Sequence, residues 1–418
     1  MAQLSDDCFA FGGPMISVDE AVATIAARVT AVADTEWVDL TEADGRVLAS
    51  GIEAPLPLPP FTNSAVDGFA LRSADLPRDR EQAFPVSGRI QAGSSISGAI
   101  ASGEAIRIFT GAPMPAGSDT VFMQEDVRID EAGRVVLPPG LKAGANVRPV
   151  GEDIPDGHLA LPVGRQLRPQ DVALIAAFGL TRVEVRRRLR VAVFSTGNEV
   201  VSPGEVRGKA QLFDSNRFML AAMLKRLGCK VSDLGILRDE RTSLAAALKE
   251  AASNHDLILT SGGVSTGEED HVKAAVEGVG TLVLWRMAIK PGRPVAMGII
   301  DGTPFIGLPG NPVASFVTFT YVVRPTVLAL AGTTQKMLVP TRVRASFAYT
   351  KKSGRREYVR VSLREGADGV LEAVKFPREG AGLLSSLVDT DGLVELNEEI
   401  TAVTPGQTVG FLDYASLL

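Results

Sequence analysis

The amino-acid sequence predicts a multidomain α/β protein, in which a mostly parallel, three-layer α/β domain is joined to three smaller parts. Between residues 188 and 332, apolar strand-like runs alternate with segments of helical periodicity. On either side, short β-like runs are separated by glycine, proline, asparagine and aspartate. The 418 residues suffice for roughly two to four domains. The predicted domains are an N-terminal α+β linker domain (1–50 plus 147–187), an inserted β-rich domain (51–146), the α/β domain (188–332) and a C-terminal β domain (333–418).

The linker domain is expected to contain two helices. Residues 17–33 have apolar side chains at helical spacing, and Ser17 followed by Glu20 matches a capping box. A second helix is expected over Pro169–Phe178, with a short strand after it. The 51–146 segment contains no long helical stretch, and we therefore expect it to form a separate small β domain.

The α/β domain is expected to bind its ligand at the carboxyl ends of its strands, as open parallel sheets do. Beyond Gly332 and Pro340 the helical period is lost, and alternating runs predict the C-terminal β domain. The expected strands are residues 189–195, 229–237, 256–261, 281–289, 294–300 and 304–308, and the expected helices are 217–228, 240–254, 268–278 and 312–331.

Composition excludes several classes of protein. Two cysteines, Cys8 and Cys229, fit neither a disulfide framework nor a zinc site, and the three histidines share no ligand spacing. A net charge of −6 lacks the basic footprint of a nucleic-acid-binding protein. The N-terminus does not resemble a signal peptide, and no uninterrupted apolar run approaches the ~18 residues of a membrane span. We expect a cytoplasmic protein that binds neither nucleic acid nor a membrane.

Two of the strand-end loops are suited to a phosphate and a cation. In residues 195–199, S-T-G-N-E, small side chains let backbone N–H groups approach an anion, and Glu199 can hold a cation; a plain turn is the alternative. Residues 261–267, S-G-G-V-S-T-G, lead into a helix and resemble a phosphate cradle. Asp270 beside a bound phosphate requires a bridging cation, which indicates Mg²⁺. The spacing matches neither a Walker A loop nor a dinucleotide fingerprint.

Three further loops contain candidate ligand-binding residues or signals for the start of a helix. In residues 290–294, K-P-G-R-P, two prolines stiffen a loop with Lys290 and Arg293, for which an oxyanion is the natural partner and a solvated turn the alternative. Asp239 follows the second strand and is either a ligand or a helix cap. In residues 307–312, G-L-P-G-N-P, Pro312 suits the first position of a helix with Asn311 as its cap.

Six motifs occur together in one order and spacing, and with them the chain closely resembles the MoeA family, the molybdopterin molybdenumtransferases, whose relatives include the E domain of gephyrin. The resemblance covers nearly the whole chain. The motifs are N-S-A-V-D-G-F-A (63–70), T-G-A-P-M-P-A-G (110–117), S-T-G-N-E (195–199), S-G-G-V-S-T-G-E-E-D (261–270), K-P-G-R-P (290–294) and G-L-P-G-N-P (307–312).

The resemblance implies that the α/β domain is like that of the molybdopterin adenylyltransferases and that the chain forms a homodimer with its site between protomers. It implies an enzyme that converts adenylyl-molybdopterin and molybdate to molybdenum cofactor and AMP, with Mg²⁺. It also implies transient contact with a molybdopterin adenylyltransferase and with molybdoenzyme maturation factors. The alternatives are a molybdopterin adenylyltransferase or a gephyrin-like scaffold without catalysis.

The resemblance and the loops together give the expected site residues. The catalytic residues are Asp67, Thr110, Glu199, Asp239, Asp270 and Lys290, with Glu199, Asp239 and Asp270 as Mg²⁺ ligands. The substrate-binding residues are Ser195, Thr196, Gly197, Ser261, Gly262, Gly263, Ser265, Arg293, Pro309 and Pro312. Arg355, Arg356 and Ser386 are expected to help hold molybdate. Two positions depart from the family pattern, because Asn198 replaces an aspartate and Arg286 replaces a lysine.

Overall fold

A computed structural model of the chain describes residues 4–6, 8–9, 15–32, 34–94, 98–237, 240–263, 271–334 and 338–417. The chain divides into two compact units. The first comprises Met1–Ala49, Gly164–Arg168 and Arg182–Leu418, and the second comprises Ser50–Val163 and Pro169–Thr181. This division is coarser than the four predicted domains, whose boundaries stay a prediction.

The first unit contains the expected α/β sheet, and the prediction of a mostly parallel sheet is confirmed. Four strands that are neighbours in the sheet, from Lys230–Ile236 at one edge to Thr303–Leu308, run parallel to one another. Pro294–Ile300 comes next and runs antiparallel to both of its neighbours. The three central strands are almost wholly buried, as in a sheet covered on both faces. In spatial order the strands are Lys230–Ile236, Arg190–Ser195, Leu257–Ser261, Thr303–Leu308, Pro294–Ile300 and Gly280–Arg286.

Helices cover the two faces of this sheet, and each face has its own apolar core. Along the strand Arg190–Ser195, Val191 and Val193 belong to one core, and Ala192 and Phe194 belong to the other. This alternation is the two-residue period of a strand buried on both sides. The helices are Asn216–Arg226, Arg241–Asn254, His271–Val279, Pro312–Thr318, the π-helical turn Phe319–Val323 and Arg324–Leu330.

The last three of these segments form one continuous helical stretch, Pro312–Leu330. Of the described residues, only this stretch is long and apolar enough to cross a membrane. Polar residues such as Arg324 interrupt it, so it is not among the uninterrupted apolar runs of the sequence. The stretch is mostly buried inside the protein, which is the environment of a core helix.

The N-terminal helix, Val18–Arg28, begins as predicted and ends earlier than predicted. The Ser17 hydroxyl accepts the Glu20 N–H at 3.2 Å, and the Glu20 carboxylate accepts the Ser17 N–H at 2.9 Å, so the capping box is confirmed. Val29 is already extended, and the β-branched residues after it have low helix propensity. The strand Thr35–Asp39 then pairs with Arg182–Arg186.

The C-terminal β domain is a closed barrel of five strands. A two-residue strand, Ile289–Lys290, also pairs with the barrel at Arg356 and Glu357, and it joins the K-P-G-R-P segment to the barrel. Other short elements near these sheets are Leu40–Glu42, Val200–Val201, Leu212–Phe213, Tyr349–Thr350, Ser385–Val388 and Ala402–Val403. The barrel strands, in order around the barrel, are Arg356–Glu365, Leu371–Lys375, Thr341–Ala345, Thr408–Asp413 and Gly392–Leu396, the last of which pairs back with the first.

The second unit is β-rich, as predicted for the inserted segment. Its four-stranded sheet has an apolar core on each face, one containing Phe69 and Leu71 and the other containing Ala70. The elements are Val86–Ile90, Ala105–Ile108, Gly68–Leu71 and Thr120–Met123 in the four-stranded sheet, Gln82–Phe84, Val135–Leu137 and Arg128–Ile129 in a three-stranded sheet, the pairs Asn63–Ser64 with Val147–Arg148 and Ile52–Glu53 with Leu159–Leu161, the turns Ser73–Asp75 and Gln124–Asp126, and the helix Pro169–Ala177.

Candidate functional site

Three of the predicted strand-end loops meet at the carboxyl edge of the α/β sheet. Ser195 and Ser261 lie opposite each other at the ends of adjacent strands. The Asn216 amide nitrogen donates to the Ser261 hydroxyl at 2.8 Å and to the Gly310 carbonyl at 2.7 Å. The Ser261 hydroxyl also lies 3.5 Å from the Pro309 carbonyl. Asn216, which sequence reasoning missed, therefore ties two predicted loops together.

Glycines let these loops approach one another. Gly197, Gly262 and Gly263 all have positive φ angles, of 127°, 91° and 65°. A β-carbon at Gly263 would lie 2.7 Å from the Thr196 hydroxyl oxygen, so a side chain there is excluded. The Gly262 N–H donates to the Leu308 carbonyl at 3.0 Å and is not available to a phosphate. Within the described part of the chain, the Gly263 N–H has no partner and remains available to an anion.

Two buried polar atoms at this edge lack hydrogen-bond partners among the described residues: the Ser195 hydroxyl and the Asn216 amide oxygen. The amide orientation of Asn216 is fixed, because the Gly310 carbonyl can only accept and must face the NH₂ group. The unpaired atom is therefore a hydrogen-bond acceptor. Unpaired buried polar groups are costly and often mark a binding site, so this edge is suited to a polar ligand.

The expected magnesium ligands are only partly within the described residues. Glu199 is exposed, and its carboxylate oxygens lie over Gly197. No cation or hydrogen-bond donor of the described chain pairs with this carboxylate, and a free carboxylate is the kind of oxygen donor that Mg²⁺ prefers. The described ranges contain no cluster of three or more His, Cys, Asp or Glu side chains that could hold a metal ion. Outside the described residues lie Asp239, Ser265 and Asp270.

A cationic cleft of about 580 Å³ lies between the K-P-G-R-P loop and the barrel. Lys290 and Pro291 form one wall. The barrel supplies three further cations, Arg360, Lys375 and Arg378. The other lining residues are Tyr349, Tyr358, Val359, Phe376, Glu379, Gly380 and Ala381. We call this the Lys290 cleft.

A buried carboxylate holds Lys290 in the cleft wall. The Lys290 ammonium nitrogen lies 3.1 Å from Glu357 Oε2 and 3.3 Å from the Tyr349 hydroxyl, which itself donates to Glu357 at 2.8 Å. The Glu357 side chain is 2% exposed and that of Lys290 is 47% exposed. Partial burial lowers the pKa of Lys290, but the hydrogen bonds and charges of Glu357 and Tyr349 outweigh it, so its net pKa is raised. Lys290 is a firmly protonated, oriented cation.

Arg360 is the most buried cation of the Lys290 cleft. Only 8% of its surface is exposed. One terminal nitrogen donates to the Gly380 carbonyl at 3.1 Å, and its Nε has no partner among the described residues. Burial lowers the pKa of Arg360, yet arginine remains protonated in proteins. Among the described residues, no carboxylate therefore pairs with this buried positive charge of the cleft.

The other cations expected to bind molybdate lie elsewhere. The Arg293 side chain is 3.7 Å from the Met15 sulfur and does not line the cleft. Arg355 lies 3.8 Å from Glu357, and Arg356 pairs with several carboxylates, among them Asp19 at 2.8 Å. Ser386 is fully buried and donates to the Leu383 carbonyl. The binding roles of these residues stay predictions.

The Lys290 cleft and the sheet edge are neighbours. The Ala381 carbonyl, on the cleft wall, accepts the Val313 N–H at 3.0 Å, one residue after Pro312. Pro312 begins its helix as predicted; Asn311 is the cap residue, but its side chain makes no capping hydrogen bond. The Thr318 hydroxyl of the same helix lies 3.4 Å from the Gly292 carbonyl. The K-P-G-R-P and G-L-P-G-N-P loops thus pack on one helix.

In the second unit, the structure brings together the two predicted residues. The Asp67 carboxylate accepts the Thr110 N–H at 2.8 Å and the Thr110 hydroxyl at 2.7 Å. These two hydrogen bonds lower the pKa of Asp67. Asp67 is therefore a fixed carboxylate that is ionised at neutral pH.

Comparison with known proteins gives the same assignment across the whole chain. Three family models match it: the MoeA N-terminal region (domain I and II) over residues 16–179, a probable molybdopterin binding domain over 192–329, and the MoeA C-terminal region (domain IV) over 342–414. The molybdopterin molybdenumtransferase of Haemophilus influenzae is 36% identical over 405 residues, 97% of this chain and 100% of that protein. The chain belongs to the MoeA family.

Other relatives of this MoeA-family chain agree. The molybdopterin molybdenumtransferase of Nostoc is 35% identical, covering 90% of this chain and 88% of that protein. A crystal structure of a molybdopterin biosynthesis MoeA protein from Pyrococcus horikoshii matches with a TM-score of 0.81 at 27% identity, over 96% of this chain and 100% of that one. As a MoeA-family member, the chain is a transferase of molybdenum cofactor biosynthesis.

Sequence reasoning missed most of the side chains that build the Lys290 cleft of this MoeA-family chain. Arg360, Lys375 and Arg378 come from the barrel and its loops, and they stand in no motif. The one signal that could have found Arg360 and Lys375 is their alternation with apolar residues on strands of the C-terminal domain, whereas Arg378 lies in a loop. Glu357 has no such signal, because an acidic residue in a strand is normally exposed.

Proposed function

We propose that this chain inserts molybdenum into molybdopterin, taking adenylyl-molybdopterin and molybdate and releasing molybdenum cofactor and AMP. The observation that carries the proposal is the contact between the cationic Lys290 cleft and the sheet edge, through the Ala381 and Val313 backbones. An oxyanion in the cleft is thereby next to a ligand held by the strand-end loops. The molybdenumtransferase name of the Haemophilus influenzae relative supports the same reaction.

In this mechanism the Lys290 cleft receives molybdate. Lys290 and Arg360 neutralise its charge through charge-assisted hydrogen bonds. Glu357 keeps Lys290 protonated and oriented, because it accepts from the ammonium group from a buried position. Neutralising molybdate removes its repulsion from the substrate phosphate and lets both anions occupy neighbouring sites.

The sheet edge holds the adenylylated pterin. The unpaired Gly263 N–H is suited to a phosphate oxygen, and the unpaired Asn216 amide oxygen is suited to an N–H or O–H of the ligand. The dithiolene sulfurs then take molybdenum from the adjacent cleft, and hydrolysis of the phosphoanhydride releases AMP. No protein nucleophile is needed in this scheme.

We further propose that Mg²⁺ assists, held by Glu199 together with Asp239 and Asp270. The unpaired carboxylate of Glu199 fits such an ion. When bound, Mg²⁺ neutralises phosphate charge and polarises phosphorus.

The test is AMP release from adenylyl-molybdopterin, with and without molybdate, at several Mg²⁺ concentrations. We expect molybdate-stimulated release, and we expect Glu199→Gln to require more Mg²⁺ than the unchanged chain. Formation of adenylylated product from molybdopterin and ATP without molybdate would instead identify an adenylyltransferase. A chain that releases no AMP under any condition would be a scaffold.

We also propose that the active unit is a homodimer whose site combines Asp67 of one protomer with Lys290 of its partner. Light scattering should give about twice 44.1 kDa. Asp67→Asn and Lys290→Ala chains are mixed and assayed at a molybdate concentration too low for either variant alone to turn over measurably. The mixture should show about one quarter of the normal activity, because half of the dimers are mixed and one of their two sites is intact. Mixed chains without activity would place both residues in one protomer.

We also propose that the protein acts in the cytoplasm. The adenylylated substrate has to come from an adenylyltransferase, so we also propose transient contact with such an enzyme and with proteins that load the finished cofactor into molybdoenzymes. Complementation of a strain lacking the insertase, scored by nitrate reductase activity, tests the role in cells.

A further inference from the structure

The four-stranded sheet of the second unit carries an unusual row of side chains. Arg89, Arg107, Phe69 and Phe122 occupy one register position on four neighbouring strands. The two arginines therefore stand side by side, on strands that are separated by about 5 Å in any sheet. Like charges at adjacent positions on neighbouring strands repel.

Within the described residues, no carboxylate forms a hydrogen bond or ion pair with either arginine of the row. Arg89 is exposed and makes no hydrogen bond or ion pair. Arg107 donates to the Gly68 carbonyl at 3.4 Å and to the Gln124 amide oxygen, both of which are neutral acceptors. Elsewhere in the second unit an arginine of similar setting, Arg128, is paired with Glu81 at 2.7 Å. Among the described residues, the row's positive charge is thus offset only in part, by the nearby charge of Asp67, which does not pair with Arg107 directly.

Aromatic rings hold both guanidinium groups in place. The Arg89 and Arg107 guanidinium carbons lie 4.7 Å and 4.9 Å from the centre of the Phe109 ring, and Arg107 is also 4.9 Å from the centre of the Phe69 ring. Stacking of this kind orients a guanidinium without neutralising it. The arginines are pre-organised and still positively charged.

The row adjoins the Asp67–Thr110 pair in sequence and in space. Thr110 follows Phe109 directly, Gly68 follows Asp67, and the charge of Arg107 contributes to the lowered pKa of Asp67. The arginines therefore stand beside two residues that the family resemblance assigns to catalysis.

We propose that Arg89 and Arg107 form a binding site for a phosphate group, and that its ligand is the phosphoanhydride of the adenylylated substrate. A phosphoanhydride carries one charge on each of two phosphorus centres, which suits two guanidinium groups about one strand spacing apart. A carboxylate carries only one charge. This assignment rests on the proposed function and adds a second phosphate contact to it.

The competing role is structural: the arginines would simply cover Phe69 and Phe109. The two roles predict opposite behaviour of the free protein. If Arg89 is structural, Arg89→Gln should lower Tm. If it binds phosphate, the same change removes repulsion and leaves Tm of the free protein unchanged or higher, while binding is lost.

The experiment measures Kd and Tm of the full-length chain with pyrophosphate, AMP and inorganic phosphate, at constant ionic strength set with chloride. We expect Arg89→Gln and Arg107→Gln each to weaken pyrophosphate and AMP binding roughly 10- to 150-fold, as for one charge-assisted contact. Binding of inorganic phosphate should weaken as well, which would show that the site recognises the phosphate group that all three ligands share. If Arg107→Gln does not fold, Arg107→Lys replaces it: this change keeps the charge but loses the planar, stacked guanidinium, and it should weaken pyrophosphate binding less than Arg89→Gln does.

Arg128→Gln is the matched control, because it removes an exposed arginine of the same unit, and it should bind like the unchanged chain. Equal binding by the unchanged chain and both variants would overturn the proposal, as would a lower Tm of free Arg89→Gln. Pyrophosphate binding that is lost in Lys290→Ala but kept in both arginine variants would assign the ligand to the Lys290 cleft and also overturn it. These binding readouts need no turnover, so they fail separately from the molybdenum insertion assay.

Discussion

The sheet edge and the Lys290 cleft are neighbours that bind in different ways. The edge consists of short glycine-containing loops, and its available groups are mainly backbone N–H and small polar side chains such as Ser195 and Asn216. The cleft consists of long cationic side chains from a loop and a barrel, among them Lys290 and Arg360. The edge provides shape and hydrogen bonds, and the cleft provides charge.

The difference teaches where each region is sensitive. In the cleft, Lys290 pairs with the buried Glu357. Changing Glu357 should therefore alter both the pKa of Lys290 and the binding of an anion by Lys290. At the edge, the Asn216 amide bridges two loops, so changes there act through geometry. Substitutions in the cleft should therefore give the larger and more specific effects on molybdate use.

The largest effect is expected for Lys290→Ala, with Arg293→Ala as its matched control from the same loop. Lys290 lines the cleft and Arg293 does not. Loss of one charge-assisted contact corresponds to about 1.5–3 kcal/mol, so KM for molybdate should rise roughly 10- to 150-fold in Lys290→Ala. Insertion rate against molybdate concentration measures this. Equal effects of the two variants would show that binding extends beyond the cleft.

A smaller effect, roughly tenfold in KM for molybdate, is expected for Arg360→Met. Tm should not fall, because the change removes a buried guanidinium whose Nε has no partner in the described chain. Arg364→Met is the control, since Arg364 lies on the same strand, is exposed and pairs with Glu372. A rise in KM confined to Arg364→Met would remove Arg360 from the molybdate site.

The sheet edge and the Lys290 cleft also differ in how far the sequence predicts them. The sheet, its helices and its strand-end loops were predicted because burial on two faces and ligand binding at strand ends leave continuous patterns in sequence. Within the cleft, only Lys290 and Pro291 stood in a motif. Arg360 is one cation among many until strand Arg356–Glu365 is placed against Ile289–Lys290, a pairing between segments about seventy residues apart. Asn216 directly precedes the predicted helix 217–228, and the sequence does not reveal its bridging role because those contacts are also non-local.

The buried acid of the cleft gives a pH prediction. Lys290 faces Glu357, Tyr349 and, at longer range, Glu379, and the net effect raises its pKa. In Glu357→Gln the pKa of Lys290 should fall, so the loss of kcat/KM for molybdate at alkaline pH should begin at a lower pH. Profiles from pH 7 to 11 measure this shift.

Glu379→Gln is the control for this prediction, since Glu379 pairs with Lys375 at 3.0 Å and touches neither Lys290 nor Tyr349 within the described hydrogen bonds. The alkaline limb of the kcat/KM profile should move less in Glu379→Gln than in Glu357→Gln. An alkaline limb that stays in place in Glu357→Gln would mean that Lys290 is not the group whose deprotonation ends molybdate binding.

The smallest effect is expected at the turn between strands Arg356–Glu365 and Leu371–Lys375, whose charged residues do not line the Lys290 cleft. Asp368 accepts both terminal nitrogens of Arg344, at 2.6 Å and 2.7 Å, and these bonds lower its pKa to about 2. Because this pKa lies below the ordinary value of 3.8, the folded chain binds fewer protons than the unfolded chain between these pH values, and its stability falls as pH falls through them. Asp368→Asn should therefore flatten the dependence of Tm on pH between about 4 and 2. The change should be slight, since solvent screens an exposed pair.

Glu399→Gln, an exposed change in the same barrel, is the control and should leave the dependence of Tm on pH unaltered. Molybdate kinetics should be normal in both variants. A shifted KM for molybdate in Asp368→Asn would show that barrel charges act on the Lys290 cleft from a distance, and the separation between binding charge and structural charge would then be wrong.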